Sequence, residues 1–110
     1  MPYIPAEHRA ELDPLIDALS ARIAERAERS DGELAAAGLL NYACTRLVLR
    51  LVKLRFGRVR YGVVALVTGV LHNVADELYR RVGHPYEDKQ IARSGDVDLY
   101  AEFAAEIERL

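Results

Sequence analysis

Apolar positions recur three and four residues apart along this chain, and no stretch alternates with the period of a strand. Met1 to Pro5 holds two prolines and reads as extended, since each restricts the residue before it. Ala6 to Leu12 follows as a short helical turn. Asp13-Pro14 then reads as a helix start, Asp13 as N-cap and Pro14 at the first helical position, where its missing N–H costs nothing. Leu15, Ile16, Leu19 and Ile23 form one face of this helix, which fades near Arg29. Ser30-Asp31-Gly32-Glu33 fits the capping-box pattern and opens a second helix reaching about Arg55. Its stripe is Leu40, Leu47, Leu51 and Leu54, flanked by Ala43, Cys44 and Val48 and widened by Leu39, Leu49 and Val52. Gly57 is placed as the C′ residue of that helix, where a left-handed backbone is inexpensive.

A third helix, about Val59 to Val82, is apolar or small on all sides from Tyr61 to Leu71, a pattern that implies burial on every side. From His72 it becomes amphipathic, with Val74, Leu78 and Val82 on the inner face. Small residues at Ala35, Ala36, Ala37, Gly38, Gly62, Ala65 and Gly69 favour close approach of another helix. Gly83-His84-Pro85 reads as a stop followed by a start, Gly83 at C′ and Pro85 at N1 of a short helix to Arg93. Ser94-Gly95-Asp96 reads as a turn, with Asp96 a cap for a last helix whose apolar positions are Leu99, Phe103, Ile107 and Leu110. The expected architecture is all-α: a bundle of four to five helices in one domain, 1–110, organised around a helical hairpin from Asp31 to Val82 with its tip at Phe56-Gly57-Arg58.

Composition bounds the functional classes. About half of the 110 residues are hydrophobic and charges of both signs are plentiful, which excludes a disordered chain. The lone Cys44 excludes an internal disulfide framework and a cysteine-based zinc site, and reads as a small core residue. The N-terminus lacks the pattern of a signal peptide, so a cytoplasmic location is expected. The longest uncharged run, Tyr61 to Ala75, has 15 residues against the roughly 20 of a spanning helix, so no membrane partner is expected. The net charge of −2 conceals a strong segregation. Residues 1–33 carry four Arg and eight acids, residues 76–110 five Lys/Arg and nine acids, while Leu34 to Ala75 carries six Lys/Arg and no acid. Such a pattern suits an anionic partner, pairing of the middle with the chain's own ends, or pairing with a second copy.

Several motifs resemble a family of small, uncharacterised all-helical proteins of bacteria and their phages. They are Met1-Pro2-Tyr3-Ile4-Pro5, Leu12-Asp13-Pro14-Leu15-Ile16, Asn41-Tyr42 with Thr45-Arg46-Leu47, and Gly69-Val70-Leu71. Leu78-Tyr79-Arg80-Arg81, Pro85-Tyr86-Glu87-Asp88-Lys89 with Ile91, and Gly95-Asp96-Val97 complete the set. The resemblance covers nearly all of residues 1–97 and, the family being of unknown function, implies no mechanism. Relatives usually carry an acidic then a small residue where this chain has His72-Asn73, and 98–110 reads as a C-terminal helical extension.

Three constellations are candidates for chemistry. On the third helix His72 and Asp76 stand four apart and Arg80 extends the line, with Asn73 and Glu77 in the adjacent row. An imidazole beside a carboxylate suits half a metal site or general-base work, with Glu87, Asp88 or His84 as further ligands. The commoner meaning of such spacing is a surface or interface ladder, and no strong metal signature is present. Second, Asn41, Tyr42 and Arg46, facing Tyr79, Arg80 and Tyr86, could hold a phosphate or carboxylate on the arginine fork, or form an ion-pair network that fixes helix register. Third, Arg50, Lys53, Arg55, Arg58 and Arg60, interleaved with Phe56 and Tyr61, form a basic tip suited to anions or single-stranded nucleic acid. The acidic flanks argue against a polyanion there. The all-α nucleotide pyrophosphatases of the MazG type place repeated Glu-x-x-Glu pairs around magnesium, and that repeat is missing here.

The expectation that carries most weight is a small interaction or assembly protein, a homo-oligomer with no assigned reaction, no catalytic residue, no metal and no cofactor. Nucleic-acid or anion binding through the basic tip is the alternative, admitted but not favoured. A metal-assisted nucleotide hydrolase built on His72, Asp76 and Glu77 is the second alternative.

Overall fold

In a computed structural model that describes residues 2–30 and 32–110, the chain is all-α, with no strand among the described residues. Five α-helices follow in order: α1 (Ala6–Glu28), α2 (Glu33–Leu51), α3 (Tyr61–Leu78), α4 (His84–Ser94) and α5 (Asp98–Glu108). A π turn, Val52–Phe56, extends α2, and a second, Tyr79–Gly83, joins α3 to α4. By packing the chain divides into two compact units, Met1–Leu71 and His72–Leu110. Met1 and Asp31, which belong to the opening motif and to the expected capping box, lie outside the described residues.

The helix expected to start at Asp13-Pro14 starts instead at Ala6 and runs unbroken through Pro14. Pro5 is its N-cap, and its carbonyl accepts from the amides of His8 and Arg9 at 3.0 and 3.1 Å. The reason is local. Ala6 to Leu12 contains good helix formers, and Glu7 in the first turn complements the helix dipole. The ring of Pro14 removes one amide donor, and the surrounding surface is exposed, so water can satisfy the carbonyl that loses it.

The expected capping box does not form. Gly32, with φ of +84°, is the N-cap of α2 and no side chain caps the helix. The Ser30 hydroxyl turns back and donates to the Arg26 carbonyl at 3.4 Å, closing α1 instead of opening α2. At the far end Gly57 adopts a φ of +77° and its amide donates to the Lys53 carbonyl, so the turn sits where the pattern places it.

The second departure is at Gly83. Its φ and ψ of −66° and −54° are helical, so it is no left-handed stop, and a helical backbone continues from Tyr61 to Ser94. A proline at position 85 would crowd the carbonyl four residues back in an α-helix. The π turn over Tyr79–Gly83, with its wider spacing, relieves that conflict and lets the helix pass through. Gly95, with φ of +89°, ends α4, its amide donating to Ile91 at 2.8 Å. Asp96 does not cap α5. Its carboxylate accepts from the neighbouring Val97 amide, and Val97 itself is the N-cap.

Packing within the first unit is sparse. α1 packs on α2. Among the described residues only Val52 and Val63, 8% and 3% exposed, are buried apolar side chains, and no polar side chain is buried. The burial on every side expected for Tyr61 to Leu71 is therefore not supplied by this unit: Leu66 is 54% exposed, and Val64, Val70 and Leu71 are exposed with it. The physical reason is that α1 packs on α2, leaving the outer faces of α3 without a neighbouring helix in that unit. At the three glycines among those small residues the expected close approach is not made among the described residues. A methyl group added at Gly38, Gly62 or Gly69 would meet nothing within 4 Å. Cys44, expected in the core, is exposed.

Candidate functional site

The residues singled out by the sequence fall into three places. Asn41, Tyr42 and Arg46 stand on α2 in the first unit, and all three are exposed. The Asn41 carbonyl accepts from the Thr45 hydroxyl at 2.8 Å, a bond within the helix. Tyr42 and Arg46 line an open groove of about 750 Å³ between α2 and α3, whose apolar walls include Leu49, Val52, Val63 and Val67. A second, shallower groove passes Leu40, Cys44, Val48 and Leu71. Val63 and Val67 of α3 thus line the first groove and Leu71 the second, each beside residues of α2.

One edge of the larger groove is basic. Arg46, Arg50 and Lys53 are spaced four and three residues apart, which places them in one line beside the apolar wall of α2. Arg55, Arg58 and Arg60 continue the charge around the tip, all exposed. The Arg55 guanidinium lies 5.6 Å from the centre of the Phe56 ring, within range of a cation–π contact. Among the described residues the ion pairs are Arg29–Glu25 at 2.6 Å and Arg80–Glu77 at 2.8 Å, so none of the six cations of the hairpin is paired.

In the second unit one pair of the polar ladder is well defined. Glu77 and Arg80 form a two-point interaction, Nε and Nη2 of Arg80 donating to the two carboxylate oxygens at 3.2 and 2.8 Å. His72 and Asp76 are exposed on α3. Among the described residues no group of three or more His, Cys, Asp or Glu is placed to hold a metal. Tyr86 and Asp88 are exposed on α4.

Tyr79 is the hub of this unit. The nearby Glu87 carboxylate, as an acceptor for the phenol proton first and then as a negative charge, together with slight desolvation, raises the phenol above its ordinary pKa. Its ring meets His84 edge-on, centroids 5.2 Å apart at 87°. The π turn explains both contacts. In an α-helix residues five apart diverge by about 140°, whereas the wider turn brings position 84 round towards position 79. The same extra residue puts Glu87, eight positions on, where the seventh would stand in an unbroken α-helix. By sequence Tyr79 is set beside Arg80 and Tyr86, and Glu87 stands among possible metal ligands, without the pairing of the two. The signal that could have found it is the glycine four residues after the tyrosine, followed at once by His-Pro.

Length and composition alone make one described stretch, Glu33–Phe56, long and apolar enough to cross a membrane. No curated protein and no solved structure matches the chain. A family model covers residues 1–97, everything up to the start of α5, and the chain belongs to that family, described as Domain of unknown function (DUF6899).

Proposed function

We propose that this protein is a small helical assembly module whose apolar hairpin forms the shared core of a homo-oligomer. The observation that carries the reading is the contrast on α2 and α3: two buried valines among a ring of exposed leucines and valines, Leu47 being 65% exposed. Exposed apolar patches this extensive mark interaction surfaces in soluble proteins. The charge pattern agrees, since a hairpin with six cations and no acid meets its complement in the acidic ends of another copy. The motifs suggest a bacterial or phage setting.

A lipid environment suits the hairpin less well. Arg46 falls near the middle of Glu33–Phe56, and an arginine at the centre of a spanning helix costs roughly 2.5–3.5 kcal/mol on insertion scales, with Arg50, Lys53 and Arg55 beyond it. Sedimentation or light scattering of the purified full chain tests the reading. A mass at least twice the 12.3 kDa of the chain is expected. A stable monomer at micromolar concentration, or a protein that leaves the membrane fraction only in detergent, overturns it.

The exposed, unpaired cations of the tip favour a second reading, anion or nucleic-acid binding. In that case binding to a single-stranded oligonucleotide weakens steeply with salt and disappears when Arg55, Arg58 and Arg60 are changed to Glu. No observation favours the hydrolase alternative.

A further inference from the structure

The groove on the hairpin and the last helix complement each other in length, shape class and charge. The groove runs along the chain from Tyr42 to Lys53, about 16 Å at helical rise, with an apolar floor and the line Arg46, Arg50, Lys53 on one edge. α5, Asp98–Glu108, has 11 residues and about the same length. Leu99, Phe103 and Ile107, four residues apart, make an exposed apolar line along it. Asp98, Glu102 and Glu106 make a second, acidic line immediately beside the first. Three acids spaced by four thus match three cations spaced by four and three, and each charge line borders an apolar one.

We infer that α5 of one copy lies in the α2–α3 groove of another, its apolar line on the floor and its acids along Arg46, Arg50 and Lys53. This is helix-in-groove recognition with charge setting the partner and the register. The inference rests on the assembly reading above and names its interface. The matched family model ends at residue 97, so the groove of this contact lies within it and the inserted helix beyond it.

The test uses two full-length variants, Arg46→Glu/Arg50→Glu and Glu102→Lys/Glu106→Lys. All four positions are exposed, and circular dichroism verifies that helicity is retained. Each variant alone is expected to dissociate at least tenfold more readily than the wild type. An equimolar mixture restores the wild-type mass, because each acidic groove now meets a basic helix and each basic groove an acidic one. If both variants assemble like the wild type, or if the mixture fails to recover the mass, the inference is overturned while the assembly reading stands. If the wild type is itself monomeric, both fall. A second arm, in a Cys44→Ser background, mixes Leu49→Cys protein with Phe103→Cys protein under mild oxidation. A disulfide-linked heterodimer supports the contact between copies, and its absence in a mixture that assembles overturns it.

Discussion

The ring of Tyr79 lies so close over Gly83 that a Cβ built there would stand 2.8–3.0 Å from three of its ring carbons. This glycine is therefore required by its neighbour's ring, not by a left-handed backbone. Gly83→Ala is expected to destabilise by about 1–3 kcal/mol through overpacking, although alanine is the better helix former. Gly38→Ala, where the added methyl meets open space, is expected to stabilise by up to about 1 kcal/mol. Chemical denaturation of the two variants side by side checks the contrast, and equal effects would contradict the placement of the ring.

Tyr79 also gives the second unit a dependence on alkaline pH. The Glu87 carboxylate favours its neutral hydroxyl, so its folded pKa lies above the ordinary value of 10.0. The contribution is fully present below that ordinary value and is lost as pH rises through the raised one, when phenolate and carboxylate face each other. Tyr79→Phe is expected to be slightly less stable than the wild type near neutral pH and to converge with it well above the ordinary tyrosine pKa. Melting curves across that range, with the phenolate absorbance of Tyr79 taken as a difference between the two proteins, measure it.

Pro14 separates two accounts of the N-terminus. In the helix interior it removes one amide donor and its ring strains the carbonyl four residues back. Pro14→Ala is then expected to stabilise by up to about 3 kcal/mol. Were Pro14 at the first turn, as Asp13-Pro14 suggests in isolation, the same change would gain nothing. A urea titration distinguishes the two outcomes.

The Glu77–Arg80 pair is well aligned and partly in water, the Arg80 side chain being 62% exposed and that of Glu77 21%. Arg80→Ala is expected to cost no more than about 1 kcal/mol, an effect that shrinks further in high salt. Thermal unfolding at low and high salt measures it, and a larger loss would mean that Arg80 has a partner of greater consequence than Glu77.

Helix type and order were legible in the sequence because the 3.6-residue period is strong from Leu15 to Ile107. Gly57 was legible as well, since only one residue type takes its backbone cheaply. Every point where two local signals compete escaped. Ser30 has two backbone partners within reach and bonds to the earlier one. Pro14 and Gly83-His84-Pro85 carry strong boundary chemistry, yet helix-forming neighbours in the first case and a π turn in the second carry the backbone through. For the candidate site, the basic line Arg46, Arg50, Lys53 is legible from spacing. The groove beside it is not, because Val63 and Val67 reach it from another helix. Tyr79 and Glu87 were both legible as candidates, but α-helical arithmetic fails across a π turn and could not give the closeness of Tyr79 to His84 and Glu87.

That failure of arithmetic makes the two π turns phase shifters. Each holds one residue beyond the α-helical count, and a residue of α-helix is worth about 100° of rotation. Removing one residue from Val52–Phe56 or from Tyr79–Gly83 would leave composition and helix content almost unchanged while re-aiming the downstream backbone. After the first turn that is the direction in which the chain enters its tip, and after the second it is the face that α4 presents to Tyr79. Length changes at these two places are thus a discrete control of orientation, one to which substitutions elsewhere on the helices have no equivalent.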